Sequence, residues 1–310
     1  MTPRVDVEAL TGEPDGVVRR VDYRIIRALR QKIRSFRPDL VVANGGATLR
    51  YALAARPGLE YSLAYISIGE PHYWIQSRFS RWANRMMLRR TDSVLTVSDA
   101  TRAQLLELEP GLEGRVHTTY TGVPPDLLKI ERFAHDGPLR VLMIGSLTPE
   151  KDPELALRVV GILGHAIFRF VGDGPLIDRL RETAAGLPDS VAIEFAGSVS
   201  DVSPHLAWAD VLLLTSLSEG LPGAILEAGA AGVPTVAVDV GGVREAVVDG
   251  VTGFVTSRDY EELASVLHKL DSDRALLASM GEAAREHMAS KFLLETVIDN
   301  YAEVLRGLRR

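Results

Sequence analysis

The sequence contains no cysteine, so disulfides and catalysis by a thiolate are excluded. A chain without cysteine fits a reducing compartment, and we predict a cytoplasmic protein. The opening residues, MTPRVDVEAL, also lack the apolar segment of a secretory signal peptide.

An unbroken hydrophobic run that could cross a membrane is also missing. Residues 220–238 have the required length, but Pro222, Gly232 and Pro234 divide them into a short helix and a strand. We therefore predict no membrane span in this stretch.

Excess positive charge is absent as well, since the formal net charge is −6. This charge argues against nonspecific binding to nucleic acid. Residues 1–136 contain 20 Lys and Arg against 16 Asp and Glu, a balance of +4, whereas the remaining residues contain 15 against 25, a balance of −10. The asymmetry predicts two surfaces with different partners.

Apolar runs of strand length alternate with helical patterns along the chain. With 310 residues, 46% of them hydrophobic, the chain can bury a large core and form two domains. Continuous apolar strands with helices between them predict parallel sheets covered on both faces. We place strands at 39–44, 61–68, 93–98, 116–120, 139–145, 167–172, 191–197, 209–216 and 234–239, and helices at 17–36, 74–90, 100–108, 153–164, 176–186, 222–231, 260–270 and through most of 273–309.

The polar stretch RFAHDGPLR (132–140) marks the predicted domain boundary, because it holds a glycine and a proline and precedes a new strand. We predict two Rossmann-like, doubly wound α/β domains facing a cleft, over residues 1–136 and 137–290. Residues 291–310 are expected to form a C-terminal helix that returns to the first domain. Ligands of such sheets bind beyond the carboxyl ends of the strands, so the chemistry is expected just after each strand of the second domain.

One carboxylate stands alone in an apolar segment of that domain. Glu227 is the single ionisable residue of 220–238, and a buried glutamate needs a polar partner. The helix predicted from Pro222 offers unpaired N–H groups at its start, where an anion can bind. Such an anion would lie between Glu219 and Glu227. Because two carboxylates would repel the anion itself, we expect them to face hydroxyl groups of a sugar or ribose beside it. The alternative is a structural pair, in which Glu227 caps a neighbouring backbone.

Lys151 is the cationic candidate at another strand end. It lies in the loop before a helix whose expected N-cap is Asp152 and whose first residue is Pro153. A lysine beside a helix N-terminus is favourable when an anion joins the two positive groups. The alternative is a solvated surface lysine.

Weaker signals follow three other strands. FVGDGPL (170–176) has glycines that let the backbone approach a ligand, or is an ordinary turn, and EFAGSVSDV (194–202) has small residues suited to a flat base. In 238–255, Gly241 and Gly242 precede a short helix and Asp249-Gly250 predicts a hairpin turn; the alternative is a purely structural turn sequence.

Taken together, these segments resemble the retaining GT4 glycosyltransferases, which have the GT-B fold. Glu219 and Glu227, eight residues apart, are similar to that family's paired glutamates. The stretches 91–107 and 120–128 are similar to the closing part of its first domain. The segments that carry the resemblance in the second domain are GSLTPEKD, VGDGP, FAGSVSD, SEGLPGAILEAGAAGVPTVAVDVGGVREAVVDGVTGF and MGEAAREHMASKF.

The resemblance implies an enzyme that moves a sugar from a nucleotide-diphosphate donor, such as a UDP- or GDP-sugar, to an acceptor hydroxyl of a glycan or lipid-linked molecule. It implies glycan, polysaccharide or glycolipid biosynthesis, retention of configuration, no cofactor and no bound metal. Glu219 would contact the donor sugar, Lys151 would neutralise the diphosphate, and Glu227 would bind the ribose. The implied donor-binding residues are Gly145, Ser146, Gly172, Asp173, Gly174, Pro175, Val199, Gly220, Leu221, Pro222, Gly223 and Glu227.

Three features depart from the family pattern. Ser146 stands where the family usually has arginine, and the loss of a charged phosphate contact costs roughly 1.5–3 kcal/mol. The first strong strand begins only at residue 39, so the first domain is expected to be incomplete. The acceptor-side histidine has no clean match; His72, with Glu70 nearby, is the candidate, and the alternative is a surface or packing histidine. Ser146 and the late first strand keep open a nucleotide-sugar-binding protein with little or no turnover. A third interpretation is another GT-B enzyme such as a nucleotide-sugar epimerase, although SEGLPGAILEA fits GT4 better.

Residues 72–90 interleave aromatic and methionine side chains with five arginines. This pattern resembles a basic amphipathic helix and predicts peripheral contact of 74–90 with anionic lipid at the inner face of the membrane. The alternative is a helix that packs its aromatic stripe on the sheet and solvates its arginines.

Overall fold

The computed structural model describes residues 22–132, 135–188 and 190–308. The sequence predictions for residues 1–21 lie outside the described residues. Contacts divide the chain into two units: the first contains the described residues up to Val97, Arg102–Thr118 and those from Ala302 on, and the second contains Ser98–Thr101 and Thr119–Tyr301. The predicted domain boundaries near residues 136 and 290 stay predictions.

The first unit is built on a four-stranded sheet in the order β1-β2-β3-β4, and every pair is parallel. Its strands are β1 Leu40–Asn44, β2 Ser62–Ser67, β3 Ser93–Thr96 and β4 Val116–Thr118, and the helices from the same part of the chain are α1 Tyr23–Phe36, α2 Gly46–Ala55, α3 Pro71–Trp74, α4 Arg78–Leu88 and α5 Asp99–Leu108. One apolar cluster, which includes Ile33, Leu49 and Leu63, joins α1 and α2 to the sheet. Because helices connect the successive strands and every strand pair is parallel, this unit has the predicted α/β fold.

The single helix predicted over 74–90 is wrong, because the chain forms two helices with a break at 75–77. Ser77 begins the second helix: its hydroxyl accepts the N–H of Ser80 at 3.0 Å, and the hydroxyl of Ser80 accepts the N–H of Ser77 at 3.1 Å. This reciprocal capping box satisfies N–H groups that a continuous helix would have used internally.

The second unit has a six-stranded, all-parallel sheet in the order β10-β9-β8-β5-β6-β7. Its strands are β5 Arg140–Ile144, β6 Ile167–Val171, β7 Ala192–Gly197, β8 Val211–Leu214, β9 Thr235–Val238 and β10 Gly253–Thr256, and its helices are α6 Pro153–Leu163, α7 Ile177–Ala185, α8 Ser203–Trp208, α9 Gly223–Ala230, α10 Val243–Ala246, α11 Tyr260–Ser272, α12 Arg274–Lys291 and α13 Leu294–Arg306, whose last residues group with the first unit. Every residue of β8 and β9 is buried. Burial on both faces explains why these strands are continuous apolar runs rather than alternating ones.

The hairpin predicted at Asp249-Gly250 is wrong. A turn does form there, since the N–H of Gly250 donates to the carbonyl of Gly253 at 2.8 Å. The strand that follows, β10, pairs in parallel with β9 at the edge of the sheet. The turn is therefore a local reversal before an edge strand, and no strand within the described residues forms a hairpin with β10.

Local signals set the start and end of α6 as predicted. The Asp152 carboxylate accepts the N–H of Leu155 at 3.3 Å, Pro153 is the first helical residue, and Gly164 follows the helix at φ 68°. The apolar face of this helix packs with α11 against the sheet, around Leu157, Val160 and Leu267. Within the described residues, no helix combines the length and the apolar composition that crossing a bilayer requires.

Candidate functional site

The strand order of the second sheet identifies one place where neighbouring loops diverge. β5 lies between β8 and β6, so the chain leaves β5 for β6 on one side and reaches β8 on the other. In doubly wound sheets, ligands bind at such a switch point, beyond the carboxyl ends of the strands. The loop after β5, residues 145–152, and the loop after β8, residues 215–222, therefore border the candidate site.

Glu219 is held at this edge by an ammonium and a hydroxyl. Its Oε1 accepts a hydrogen bond from Lys151 Nζ at 2.7 Å and another from Ser216 Oγ at 2.6 Å. The Glu219 side chain is 8% exposed and that of Lys151 is 27% exposed. Oε2 of Glu219 makes no hydrogen bond within the described residues. An ammonium has three N–H donors, so Lys151 keeps two of them for a further acceptor.

The same two loops are also joined through their backbones. The N–H of Leu217 donates to the carbonyl of Glu150 at 2.7 Å. The Thr215 hydroxyl lies 3.1 Å from the carbonyl oxygen of Lys151 and 2.8 Å from that of Asp152. Burial raises the pKa of Glu150, and the charge of Glu219 adds to that rise against the opposing effect of Lys151. These bonds fix the position of Lys151 relative to Glu219.

Glu227 lies on α9, one turn beyond the start of the helix. Its carboxylate makes no hydrogen bond or ion pair with any described residue. Burial raises the pKa of Glu227. The alternative in which Glu227 caps a neighbouring backbone has no contact to support it in the described part of the chain. A half-buried carboxylate without a protein partner is suited to accept hydrogen bonds from the hydroxyl groups of a ligand.

The start of α9 presents unpaired N–H groups, as the sequence predicted. In the described chain, the N–H groups of Gly220, Leu221 and Gly223 make no hydrogen bond. Pro222 precedes the first helical residue and has no N–H to leave unpaired. Backbone donors at a helix N-terminus, together with the helix dipole, favour an anion.

Gly241 and Gly242 pack against the backbone of the loop after β8. A Cβ at residue 241, where φ is +49°, would lie 1.6 Å from the carbonyl oxygen of Glu219, and a Cβ at residue 242 would lie 2.3 Å from that of Gly220. The N–H of Gly242 also donates to the Glu219 carbonyl at 3.3 Å. The two glycines are therefore required for the backbone of Glu219 to reach its position.

Gly172 and Gly174 have a structural reason to be glycine. A Cβ at residue 172, where φ is +137°, would lie 1.9 Å from the carbonyl oxygen of Gly145, and one at residue 174 would lie 2.5 Å from that of Leu147. The N–H of Gly145 donates to Val171 at 2.9 Å, and that of Leu147 donates to Asp173 at the same distance. The loops after β5 and β6 thus pack backbone against backbone, and ligand contact is not needed to explain these glycines.

The remaining predicted donor-side residues lie at the same strand ends. Ser146, Asp173 and Pro175 are exposed and Val199 is half-buried. The Asp173 carboxylate accepts the N–H of Gly174 at 2.7 Å. Among the described residues, none of these side chains forms a hydrogen bond or an ion pair with Lys151 or Glu219. Their predicted role around the nucleoside stays a prediction.

The two acceptor-side candidates belong to the first unit. The Glu70 carboxylate accepts the side-chain N–H of Gln104 at 2.8 Å, and the backbone N–H of His72 donates to the Gln104 amide oxygen at 3.1 Å. His72 Nε2 lies 3.2 Å from a carboxylate oxygen of Glu107. These contacts with α5 match the alternative of a surface histidine, and an acceptor role for His72 stays a prediction.

Sequence reasoning missed the hydroxyl groups of the loop TSLSE. Ser216 bonds Glu219, Thr215 joins the two loops, and Ser218 is buried with a hydroxyl that has no partner among the described residues. The signal was present, because three hydroxyl side chains precede the glutamate directly after an apolar strand. Hydroxyl groups at a strand end are a common way to satisfy buried acceptors.

Two family models match the chain in sequence order. The model described as "Glycosyl transferase 4-like domain" matches residues 2–122, and the model described as "Glycosyl transferases group 1" matches residues 138–273. The second match contains both loops of the candidate site. Together the two matches cover most of the chain.

Curated relatives of this chain are glycosyltransferases by name. The chain is 28% identical over 235 residues to a lipopolysaccharide core biosynthesis glycosyltransferase, LpsE of Rhizobium meliloti, covering 74% of this chain and 68% of the relative. It is 31% identical over 255 residues to a GDP-mannose-dependent alpha-(1-6)-phosphatidylinositol monomannoside mannosyltransferase of Mycobacterium tuberculosis, covering 72% of this chain and 65% of the relative.

The fold agrees with that of a solved structure. HepE of Anabaena, in complex with UDP-glucose, matches with a TM-score of 0.82 at 21% identity, over 91% of this chain and 82% of that one. The architecture is therefore GT-B, with two parallel-sheet α/β units. The matched family models, the curated relatives and the fold place this chain in the family of group 1 glycosyltransferases.

Proposed function

We propose that this chain transfers a sugar from a nucleoside-diphosphate sugar to an acceptor hydroxyl of a glycan, polysaccharide or glycolipid. The relatives support this proposal, since they include a lipopolysaccharide core glycosyltransferase and a GDP-mannose-dependent transferase acting on phosphatidylinositol monomannoside. HepE was solved with UDP-glucose. Because one relative uses a guanine nucleotide and HepE holds a uracil nucleotide, both bases belong in the first test.

The observation that carries the proposal is the combination of groups at the switch point of the second sheet. Unpaired N–H groups at the start of α9 and the Lys151 ammonium would bind the diphosphate. Glu227, which has no partner among the described residues, would accept the ribose hydroxyls. Oε2 of Glu219 would accept a hydroxyl of the donor sugar.

The proposed chemistry is electrostatic. Negative charge grows on the leaving diphosphate as its bond to the anomeric carbon breaks, and the preorganised N–H groups and ammonium would stabilise that charge. Lys151 is positioned for this role because its bond to Glu219 fixes its Nζ while two of its N–H groups stay available. We propose that these groups serve in place of a bound metal ion and that the transfer retains the anomeric configuration.

The direct test is donor turnover with defined nucleotide sugars. UDP- and GDP-sugars are incubated with the protein, and the release of the nucleoside diphosphate and the anomeric configuration of the product are followed by NMR. Release that persists in EDTA, with a retained configuration, supports the proposal. An inverted product, or turnover that is abolished by EDTA and restored by a divalent ion, contradicts it.

The second candidate is a protein that binds the nucleotide sugar without turnover, because Ser146 supplies no charge at the position where GT4 glycosyltransferases usually have arginine. Ser146 is exposed at the strand end. Arg258, a cation from the loop after β10 that could replace the missing arginine, is paired with Asp152. This candidate predicts that UDP or GDP raises the melting temperature while no nucleotide sugar is consumed. The transferase predicts both effects.

We also propose that α4 touches a membrane surface. Phe79 and Trp82 on this helix are 75% and 59% exposed, and Trp74 before it is 60% exposed. In the alternative the stripe packs on the sheet; Met87 at the end of α4 does pack against the apolar core of the first unit, whereas the aromatic side chains stay exposed. The arginines at 78, 81 and 85 are exposed on the same helix, which suits an anionic lipid surface.

Sedimentation with vesicles tests this contact. Vesicles rich in anionic lipid are expected to pellet the protein in a salt-sensitive manner, and neutral vesicles are not. Replacing Phe79 and Trp82 by serine is expected to abolish pelleting, whereas the same change at Tyr23, an exposed aromatic residue of α1, serves as the control. If pelleting changes neither with salt nor with the replacement of Phe79 and Trp82, α4 does not contact the lipid surface.

A further inference from the structure

Three side chains meet on the surface of the second unit at the end of the sheet opposite the candidate donor site. His165 lies in the connection that enters the amino end of β6, whereas Lys151 and Glu219 follow the carboxyl ends of β5 and β8. His268 and Asp271 lie three residues apart on α11, on the same side of the helix. Each of His165, His268 and Asp271 offers a ligand atom within 4.8 Å of the others.

The orientation of the His165 ring decides what can lie between it and Asp271. Nδ1 is 2.6 Å from the carbonyl oxygen of Leu163, and Nε2 is 2.6 Å from Oδ2 of Asp271. A carbonyl can only accept, so Nδ1 carries a proton. In a neutral ring, Nε2 would then direct a lone pair at a carboxylate oxygen. At 2.6 Å the two atoms are a hydrogen-bonding distance apart, which a second proton on the pair satisfies; a metal ion bound here would take the place of that proton and hold the two atoms further apart.

The surroundings already supply the second contacts that metal ligands use. A histidine bound to a metal through Nε2 commonly donates its Nδ1–H to a backbone carbonyl, which fixes the ring and its tautomer. The other oxygen of Asp271, Oδ1, accepts from Arg274 at 2.5 Å, so Oδ2 is directed at His165. The His268 ring is edge-on to that of His165, with centroids 6.2 Å apart. His268 is exposed and can turn its imidazole toward the other two ligands.

We propose that His165, His268 and Asp271 bind a divalent transition-metal ion of the zinc type. Two imidazoles and one carboxylate match the ligands of Zn²⁺, at about 2.0–2.2 Å, and do not match the all-oxygen sites of Mg²⁺ or Ca²⁺. Three protein ligands leave one position for water. The ion would join the connection between α6 and β6 to the end of α11, so it would stabilise the second unit rather than take part in sugar transfer.

Binding at this site would compete with a proton. The hydrogen bond to Asp271 raises the pKa of His165, with the bond to Leu163 adding to the rise. The other charged groups nearby are Arg274, which shares Asp271, Glu261 beside His268, and His135 and Asp136 beside His165. A metal ion that binds Nε2 of His165 must displace the proton there.

Calorimetric titration of the intact, chelator-stripped chain with Zn²⁺ tests the site, with Mg²⁺ as the second titrant. We expect saturable one-to-one binding of Zn²⁺, a higher melting temperature with Zn²⁺, and neither effect with Mg²⁺. His268→Ala is expected to weaken binding at least roughly 100-fold, since even the outer-shell partners of metal ligands contribute about 10- to 100-fold. The side chain of His268 makes no hydrogen bond within the described residues, and its backbone carbonyl still accepts from the Ser272 hydroxyl in the variant, so the substitution should leave the fold intact.

His72→Ala is the matched control, because His72 also has a carboxylate beside its Nε2, that of Glu107 at 3.2 Å, but it belongs to no cluster of three ligand side chains in the described part of the chain. This variant is expected to bind Zn²⁺ like the wild type. Unchanged Zn²⁺ affinity in His268→Ala, or no one-to-one binding by the wild type, would overturn the proposal and leave an imidazolium paired with Asp271. Because the readouts are metal binding and melting temperature, the result does not depend on sugar transfer.

Discussion

Glu227 shows at the scale of one residue how a lone carboxylate in an apolar sequence can be explained. Its helix buries apolar residues on nearly every side, and no described residue satisfies its carboxylate. A buried polar group without a partner destabilises a fold, so its presence indicates a partner that the protein does not itself supply. The proposed ribose fills that role.

Glu227→Gln is expected to stabilise the free protein at neutral pH. Burial places the folded pKa of Glu227 above its ordinary value of 4.5, so the contribution of this acid to stability is present below 4.5 and is lost as pH rises through the folded pKa. The gain from Gln should reach up to about 1 kcal/mol, because solvent screens a half-open site. It should vanish in acid.

Denaturant unfolding of the wild type and Glu227→Gln from pH 4 to pH 8 measures this gap. Glu303→Gln, at an exposed position of α13, is the control for removing one negative charge. A gap that stays constant across this pH range would mean that burial of the carboxylate does not cause it.

Glu219→Gln separates contact with the sugar from contact with the nucleotide. Glutamine keeps an oxygen for Ser216 and Lys151 but removes the charge that now pairs with the ammonium. Donor turnover should fall roughly 10- to 150-fold, which corresponds to the 1.5–3 kcal/mol of a charged hydrogen bond. Binding of UDP or GDP should change little, since Glu219 is assigned to the sugar.

Steady-state turnover and nucleotide calorimetry on the same preparation check this separation. Ser216→Ala, which removes the other hydrogen bond to Oε1, should show a smaller loss of turnover. If Glu219→Gln loses nucleotide affinity as strongly as turnover, the assignment of this residue to the sugar is wrong.

At the scale of elements, the loops after β5, β6 and β8 are positioned by direct packing of backbone on backbone. The sequence predicted close approach of the backbone at Gly172 and Gly174, but it could not show that the approaching partner is the protein chain itself. The distinction depends on which strands are neighbours. Periodicity within one segment carries no information on that point.

Gly172→Ala is expected to destabilise the second unit by roughly 2–4 kcal/mol, from a left-handed backbone and a forced backbone shift. A Cβ there would lie 1.9 Å from the carbonyl oxygen of Gly145. Gly250→Ala is the matched control, because Gly250 has φ +75° but no atom within 4 Å of its Cβ. Its cost should be only the roughly 1–2 kcal/mol of the backbone conformation.

Chemical denaturation of both glycine variants provides the comparison. Equal losses of stability in the two variants would show that the contact with Gly145 contributes nothing. A larger loss in Gly172→Ala would show that the loops after β5 and β6 must touch to keep their shape.

Element prediction from the sequence succeeded where the apolar pattern was strong. All nine predicted strands have counterparts in the two sheets. β10 was missed because Asp249-Gly250 favours a hairpin, whereas α2 and α8 were missed because they are short and lack strong helical periodicity. The break between α3 and α4 depends on the reciprocal hydrogen bonds of Ser77 and Ser80. The aromatic and basic pattern of 74–90 predicted one continuous helix, so this capping box was missed.

At the scale of the whole molecule, the order of the strands carries the functional information. The sequence indicated a parallel α/β fold and five strand ends with possible chemistry, but it did not rank them by position. The order β10-β9-β8-β5-β6-β7 ranks them, because it puts the loops of Lys151 and Glu219 on the two sides of the switch point. The His165 and Asp271 pair could not be predicted either, since 106 residues separate its members.

The most direct test of the proposed donor site is calorimetric titration with UDP and GDP, and with uridine and guanosine as ligands without phosphate. The wild type should bind one nucleoside diphosphate. Lys151→Met should bind it roughly 10- to 150-fold more weakly, the range for a charged hydrogen bond, with nucleoside binding unchanged. Glu227→Ala should weaken both. If neither diphosphate binds, or if both variants bind like the wild type, the site between the start of α9, Lys151 and Glu227 does not hold a sugar nucleotide.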